Sequence, residues 1–403
     1  MISFAFVGRL TEEKWFDLVL EGWDMLSREY PDIVRNIRIF VFGDGPLRTR
    51  IEGDWFHWED ALEAFPEETW HRKVYFWYRS SKEIWDFLKT YETYTLMPSR
   101  FLETFWLVAL ESLNARIPVI GPKKWWLTPF IADELTLHED DIVWSMREII
   151  KGIAQGTFDR KSLLASVDIR SYALSSWREK LSTLLETDLG NPDRVLLVND
   201  YISLIGGAEV YTTFLKWELE RLWKTVFVTG YSGRMRPFTR RMLFLLAPFS
   251  FWRRSHLRNI IEHFHPDMIW CQSVMRYIGP WWLSAIRASG VTSAITHHDL
   301  GAFTYLPSRV FQESDIPKDD SLGAFVRSTH ARNIFSLLGV FFKWSYLRSI
   351  HIYFRKIEHH FVPSEFMTEH LTDFGIEKKW IILFPHSRIE NLDSQTGWVR
   401  PER

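Results

Sequence analysis

Short apolar runs alternate with longer amphipathic stretches along most of the chain, and the alternation begins twice. The first half opens with the strand-like "SFAFVGRL" and the helical pattern "EEKWFDLVLEGWDMLSREY". It continues through the strand "IRIFVFG", the turn "DGP", the helix start "LRTRIE", the strand "KVYFWY" and the helix "SSKEIWDFLKTY". It closes with the strand "TYTLMPS", the helix "ETFWLVALESLNAR" and the strand "IPVIG". The second half restarts with the strand "DRVLLVNDY", the loop "ISLIGG", the helix "AEVYTTFLKWELERLW" and the strand "KTVFVTG". Further strands are "DMIWCQ", "TSAITHHD", "HHFVPS" and "WIILFP". Apolar strands separated by amphipathic helices predict parallel sheets covered on both faces, hence an α/β protein with two Rossmann-like domains.

The join is expected in "ETDLGNPD" (Glu186 to Asp193), a cluster of turn-forming residues, giving domains at 1–188 and 194–390. At 403 residues the chain is long enough for two cores. Its single cysteine, Cys271, excludes a disulfide framework, and no Cys/His set has metal-ligand spacing, so no metal is expected. The N-terminus lacks the pattern of a signal peptide, and the longest apolar run, "MLFLLAPFSFW", falls short of the ~20 residues that span a bilayer. These features predict a cytoplasmic protein. The net charge of −2 hides an asymmetry: residues 1–190 sum to −8 and residues 191–403 to +6, which suggests different partners for the two halves.

Ligands of open parallel sheets gather beyond the C-terminal ends of the strands, and the polar residues of both halves cluster there. Arg9 and Lys14 share one strand-to-helix turn. Together they form a candidate anion site, since arginine grips a phosphate with two prongs and lysine adds a point charge. The alternative is a solvated helix face. Gly206 and Gly207 precede a helix, where a phosphate can approach free N–H groups, or they form only a tight turn. Glu103 and Glu111 lie eight positions apart in "PSRFLETFWLVALES", and a carboxylate accepts two sugar or ribose hydroxyls at once. Glu103 could equally be a charge favoured at a helix N-terminus, and Glu111 a surface residue.

Four segments, "FVGRLTEEKW", "VFGDGPLRTRIE", "LMPSRFLETFWLVALES" and "PVIGPKKWW", resemble in that order the donor-binding domain of retaining glycosyltransferases of family 4. "VLLVNDYISLIGGAEVY", "ITHHD", "FVPSEFM" and "IILFP" resemble the acceptor-binding domain of the same family, so the likeness covers nearly the whole chain. The resemblance implies the GT-B fold, two Rossmann-like domains facing across a cleft. It implies metal-independent, retaining transfer from a nucleotide-diphosphate sugar to a glycan or lipid-linked acceptor. The nucleotide sugar is then substrate, no cofactor is needed, and nucleic acid is not a partner. Residue by residue, Gly8, Arg9 and Lys14 would meet the diphosphate and Glu111 the ribose. Glu103, with N–H groups near Leu107 and Val108, would hold the transferred sugar and its phosphate. Gly206 and Gly207 would close over the diphosphate, and His298 would touch the sugar. The setting it implies is bacterial cell-envelope polysaccharide biosynthesis.

The chain departs from the family pattern twice. The donor-type half comes first, where the family has it second, which points either to a circular permutation or to a join of two neighbouring genes. Tryptophan, at 21 copies, outnumbers glycine at 20, and Trp15, Trp77, Trp106, Trp125, Trp126 and Trp223 fall where the family carries glycine. A UGA codon that means glycine, read as tryptophan, produces this exchange; drift to an inactive or modified protein is the other explanation. At Trp106 the exchange matters most, because the backbone there must approach the ligand.

The second half contributes basic residues around aromatic-rich apolar runs, at 233–261 and in "LLGVFFKWSYLRSIHIYFRK". These suit an interfacial helix on an anionic membrane surface, which would make the protein peripheral on the cytoplasmic face, or they are core helices with solvated flanks. Rival functions are a sugar-nucleotide epimerase, a phosphorylase, or a catalytically impaired carbohydrate- or nucleotide-binding protein. "GDGP" lacks the dinucleotide fingerprint, which argues against a nicotinamide dehydrogenase.

Overall fold

The computed structural model describes residues 1–51, 55–60, 62–65, 72–77, 79–99, 107–123, 127–202, 207–231, 251–275, 278–304, 315–329 and 334–386. It contains two compact units, Met1–Ala173 and Leu174–Ser387.

The first unit is built on β1 (Ile2–Val7), β2 (Ile37–Phe42), β3 (Phe56–Trp58), β4 (Lys73–Phe76), β5 (Glu92–Leu96) and β6 (Val119–Ile120). They pair in the order β3-β4-β2-β1-β5-β6, every pairing parallel. All six residues of β2 are buried, as a central parallel strand requires. Its helices are α1 (Phe16–Glu29), α2 (Pro31–Val34), α3 (Ser81–Leu88), α4 (Leu107–Asn114), α5 (Ile142–Ala154) and α6 (Arg160–Ala165). Side chains start several of them. Ser80 and Glu83 form a reciprocal capping box on α3, and Asp141 and Asp159 cap α5 and α6. Phenylalanines fill one side of the sheet, with Phe42 and Phe76 stacked at 4.5 Å and Phe65 and Phe87 packed edge-on against their neighbours.

The second unit begins one helix earlier than the linker composition suggests. The expected break at 188–194 lies inside it, because α7 (Leu174–Thr187) packs on this unit's own elements. Trp177, fully buried, stacks on Phe214 at 4.9 Å and Phe384 at 5.1 Å. Arg178 grips Glu218 with two hydrogen bonds of 2.8 and 2.6 Å. The sheet comprises β7 (Arg194–Tyr201), β8 (Thr225–Tyr231), β9 (Met268–Cys271), β10 (Thr292–Thr296), β11 (His359–Val362) and β12 (Ile381–Leu383), in the parallel order β12-β11-β10-β9-β7-β8. Its helices are α8 (Gly207–Arg221), α9 (Trp252–Phe264), α10 (Gly279–Ser289), α11 (Leu322–Thr329), α12 (Ile334–Phe354) and α13 (Glu365–Asp373). The expected class, two parallel-sheet α/β units, is what the chain forms.

Two tryptophans hold backbone conformations that suit glycine. Trp15, between the short turn Glu12–Lys14 and α1, has φ 52°, and Trp223, just past α8, has φ 62°. Trp223 sits in a Schellman-type cap, with its N–H on Glu220 O and the Lys224 N–H on Leu219 O, both at 3.0 Å. Their surroundings differ: Trp15 is 8 % exposed and Trp223 is 94 % exposed. Trp77 is not among the residues with positive φ, and Trp106, Trp125 and Trp126 lie outside the described residues.

Candidate functional site

In the first sheet the chain winds from β1 to β2 on one side and later returns to β1's other side as β5. The crevice beyond the C-terminal ends of β1 and β5 is therefore the topological switch point, where ligands of such sheets bind. The β1 loop carries Gly8, Arg9 and Lys14; the β5 loop leads into α4, which carries Leu107, Val108 and Glu111. The topology thus puts the loop that carries the basic pair and the loop that leads to the helix of the expected carboxylate at neighbouring strand ends. Glu103 lies outside the described residues.

The β1 loop is braced rather than loose. Gly8 N–H bonds to Phe42 O at 3.0 Å, Leu10 N–H to Asp44 O at 3.1 Å, and Leu47 N–H back to Leu10 O at 3.0 Å. This zipper needs "GDGP" for a steric reason. A Cβ on Gly43 would stand 1.9 Å from Gly8 O, and one on Gly45 would stand 2.4 Å from Leu10 O. The first glycine also has φ 143°. The Tyr75 hydroxyl donates to Gly43 O at 2.8 Å and fixes the brace from β4. "GDGP", grouped by sequence with the ligand loops, thus positions the loop that holds Arg9.

Arg9 is exposed, and Lys14 is partly so. Desolvation, and next the charge of Arg9, pull the Lys14 ammonium down to about 7, against a smaller opposing effect of Glu13. Two cations close enough to depress one of them form a site that an anion stabilises. Leu107 and Val108 lie in α4, and residues 100–106, which precede them, lie outside the described residues. Glu111 is half-buried, and one of its oxygens accepts the Trp85 indole N–H at 3.0 Å.

In the second unit the strand order reverses at β7, with β8 on one side and β9 on the other. Asn199 and Asp200 lie near the C-terminal end of β7 and are fully buried. Asn199 Oδ1 accepts the N–H groups of Asp200 and Ser273, both at 3.0 Å, and Asp200 accepts Ile278 N–H at 2.8 Å, so the loops after β7 and β9 are tied together. Gly207 lies in α8, and Gly206 lies outside the described residues.

His298 follows β10 and bonds through Nε2 to Gln272 Oε1 at 3.0 Å. The amide oxygen only accepts, so the proton sits on Nε2 of His298. Tyr211 from α8 packs edge-on against that imidazole at 5.1 Å, and His386, just past β12, stacks on it at 5.2 Å. His297 points the other way. Its Nε2–H donates to Nδ1 of His360 at 2.9 Å, whose own Nε2–H donates to Phe354 O at 3.1 Å, a chain that anchors the "HHD" loop. Desolvation lowers His298 and His360 to about 4 and His386 well below its usual range. At neutral pH these imidazoles are uncharged. Gln272, Tyr211, His386 and Trp85 escape a sequence reading, since each meets its partner only through the fold. Among the described residues no cluster of His, Cys, Asp and Glu suited to a metal ion occurs.

No curated protein matches the chain. Among solved structures, an α-glucosyltransferase in complex with UDP and a 13-mer DNA aligns with 41 % of this chain and 47 % of its own, at 13 % identity and a TM-score of 0.31. WaaG, a glycosyltransferase involved in lipopolysaccharide biosynthesis, aligns with 41 % of this chain and 45 % of its own, at 20 % identity and a TM-score of 0.27. The C-terminal domain of a glycosyl transferase group 1 family protein (LpcC) from Francisella tularensis aligns with 40 % of this chain and 84 % of its own, at 17 % identity and a TM-score of 0.25. The chain spans about half the length of the first two. Two glycosyltransferase family models match it, one in each unit: Glycosyl transferases group 1 over residues 2–124 and Glycosyltransferase Family 4 over residues 205–386.

Proposed function

We propose that the protein is a metal-independent, retaining glycosyltransferase that moves a sugar from a nucleotide-diphosphate sugar to a glycan or lipid-linked acceptor. One observation carries this reading: a desolvated lysine beside an arginine, on a braced loop at the switch point of the unit that the group 1 model matches. In this role Gly8, Arg9 and Lys14 receive the diphosphate. Glu111 accepts ribose hydroxyls, and Glu103 with the N–H groups of Leu107 and Val108 holds the sugar and its phosphate. In the second unit Gly206 and Gly207 approach the diphosphate, and neutral His298 hydrogen-bonds a sugar hydroxyl. The hard step is departure of an anionic leaving group, which preorganised cations stabilise most. The order of the halves, reversed relative to the family, is read as a permutation. Uridine- and guanosine-diphosphate sugars, screened by thermal shift and then by release of nucleoside diphosphate, test the reading. Lys14→Ala should abolish the response, and an unchanged response would count against it.

A second reading, a nucleotide- or carbohydrate-binding protein of impaired activity, is favoured by the tryptophans. Trp15 and Trp223 occupy left-handed backbone positions, which supports the idea that tryptophan stands at glycine sites in this chain. The same exchange at Trp106 would crowd the donor loop. Trp106→Gly should then raise donor hydrolysis; equal rates, or UGG codons at Trp106, Trp125 and Trp126, would sink this reading.

Membrane association through the second unit belongs to the same proposal. On α12, Leu338 and Phe342 are 49 % and 61 % exposed although the opposite face, with Leu347 and Ile350, is buried. Phe251 and Trp252 at the start of α9 are exposed as well. Residues 233–250 lie outside the described residues, and no helix among the described residues is long and apolar enough to cross a membrane. Pelleting with phosphatidylglycerol-containing vesicles at low salt, lost at high salt, is the expected result.

A further inference from the structure

We propose that Trp85 is a positioning residue for Glu111, fixing that carboxylate for ribose before a nucleotide arrives. The inference rests on the donor-site reading above and concerns a residue that reading does not use. Trp85 lies in the middle of α3 and is 2 % exposed. Its ring belongs to the aromatic core that includes Phe40, Phe76 and Phe87, against which Val108 of α4 packs. Only the indole N–H serves a polar purpose, and it points to Glu111 Oε2 at 3.0 Å.

The helix that bears Glu111 is itself immobilised. The Ser112 hydroxyl donates to Ile117 O at 2.9 Å, which leaves the Thr95 hydroxyl as donor in its 2.7 Å bond to Ser112. This pins α4 to β5, the strand beside β1. The backbone of Glu111 is therefore fixed by Ser112 and its side chain by Trp85. An indole has one donor and no acceptor, so its bond admits only one orientation. A glutamate that must be ordered on binding loses rotamer freedom at that moment, whereas one ordered in advance does not. A carboxylate offers about four acceptor sites, of which the indole takes one. The 26-residue separation and the placement on two different helices explain why no local motif announces the pair.

The test is Trp85→Phe, which keeps an aromatic ring in the core and deletes the N–H. The probes are uridine diphosphate and guanosine diphosphate, each compared by calorimetry with its 2′,3′-dideoxy analogue. For the ribonucleotide that the parent protein binds, the dissociation constant should rise about three- to tenfold, the cost of ordering one rotamer-rich side chain on binding. For the dideoxy analogue it should stay the same. An equal loss for both, or no loss for either, overturns the proposal, because a merely structural tryptophan would not distinguish them. A parent that binds neither nucleotide overturns the donor-site reading and this role with it. The bond has its own ligand-free readout. The indole N–H resonance missing from Trp85→Phe identifies Trp85 in the parent spectrum, and Glu111→Gln should shift it. An unmoved resonance overturns the contact itself and leaves the donor-site reading standing.

Discussion

Replacing Trp223 by glycine should stabilise the second unit, and the structure sets the size of the effect. Trp223 holds φ 62°, a left-handed conformation that costs an L-residue roughly 1–2 kcal/mol. Glycine removes that cost but gives back about 0.5–1 kcal/mol through the greater freedom of the unfolded chain. The side chain is 94 % exposed, so its loss forfeits little packing. The net gain is about 0.5–1 kcal/mol, which in a unit of this size raises the melting temperature by roughly 1–4 °C. Trp223→Ala supplies the control, since alanine keeps the left-handed penalty and should gain almost nothing. Trp15 has the same kind of backbone, φ 52°, but is 8 % exposed. Emptying a large buried aromatic site costs about 3–5 kcal/mol, so Trp15→Gly should destabilise the first unit despite the relieved backbone. Differential scanning calorimetry of the three variants reads all of this. Equal melting temperatures for Trp223→Gly and Trp223→Ala, or a rise with Trp15→Gly, would refute the reasoning.

Gly43→Ala drives a Cβ to within 1.9 Å of Gly8 O and so must displace the Arg9 loop, weakening nucleoside diphosphate binding at least tenfold in calorimetry. Gly156→Ala, at φ 72° with nothing within 4 Å of the new Cβ, should cost stability alone. Buried His360 titrates near 6.5 when unfolded and about 4 when folded, so between these values the unfolded chain binds more protons. Stability therefore falls as pH drops from 6.5 toward 4, by up to about 3 kcal/mol from this residue, and His360→Gln should flatten the melting temperature over that range. Arg178→Ala removes a two-pronged bond to nearly buried Glu218 and should cost about 1–3 kcal/mol, with earlier proteolysis of α7 as the local signature.

The sequence announces every strand that forms a long apolar run, because a strand buried on both faces is predominantly apolar. β2 and β7 fall where "IRIFVF" and "RVLLVNDY" place them. It misses β3, three residues of "FHW" at the sheet edge, where so short a stretch carries no period. The unit boundary is misplaced for a related reason. Turn-forming residues at 186–193 mark a bend in the chain, whereas membership of a unit depends on what Trp177 and Arg178 touch. At the candidate site, Arg9, Lys14, Glu111 and His298 are legible as residue types beyond strand ends. Trp85 and Gln272, which orient two of them, act across 26 residues each and become visible only in the fold.

The central claim is that Arg9 and Lys14 hold a diphosphate, and proton-linked calorimetry tests it most directly. Lys14, lowered to about 7, is only partly protonated near pH 7, and a bound anion must raise its pKa. Titrating uridine or guanosine diphosphate at pH 7 in buffers of different ionisation enthalpy should therefore show net proton uptake in the parent. That uptake should be lost in Lys14→Ala, with weaker binding, and affinity should fall as pH rises above 7. Absence of binding, or binding with neither proton uptake nor any dependence on Lys14, would contradict the account.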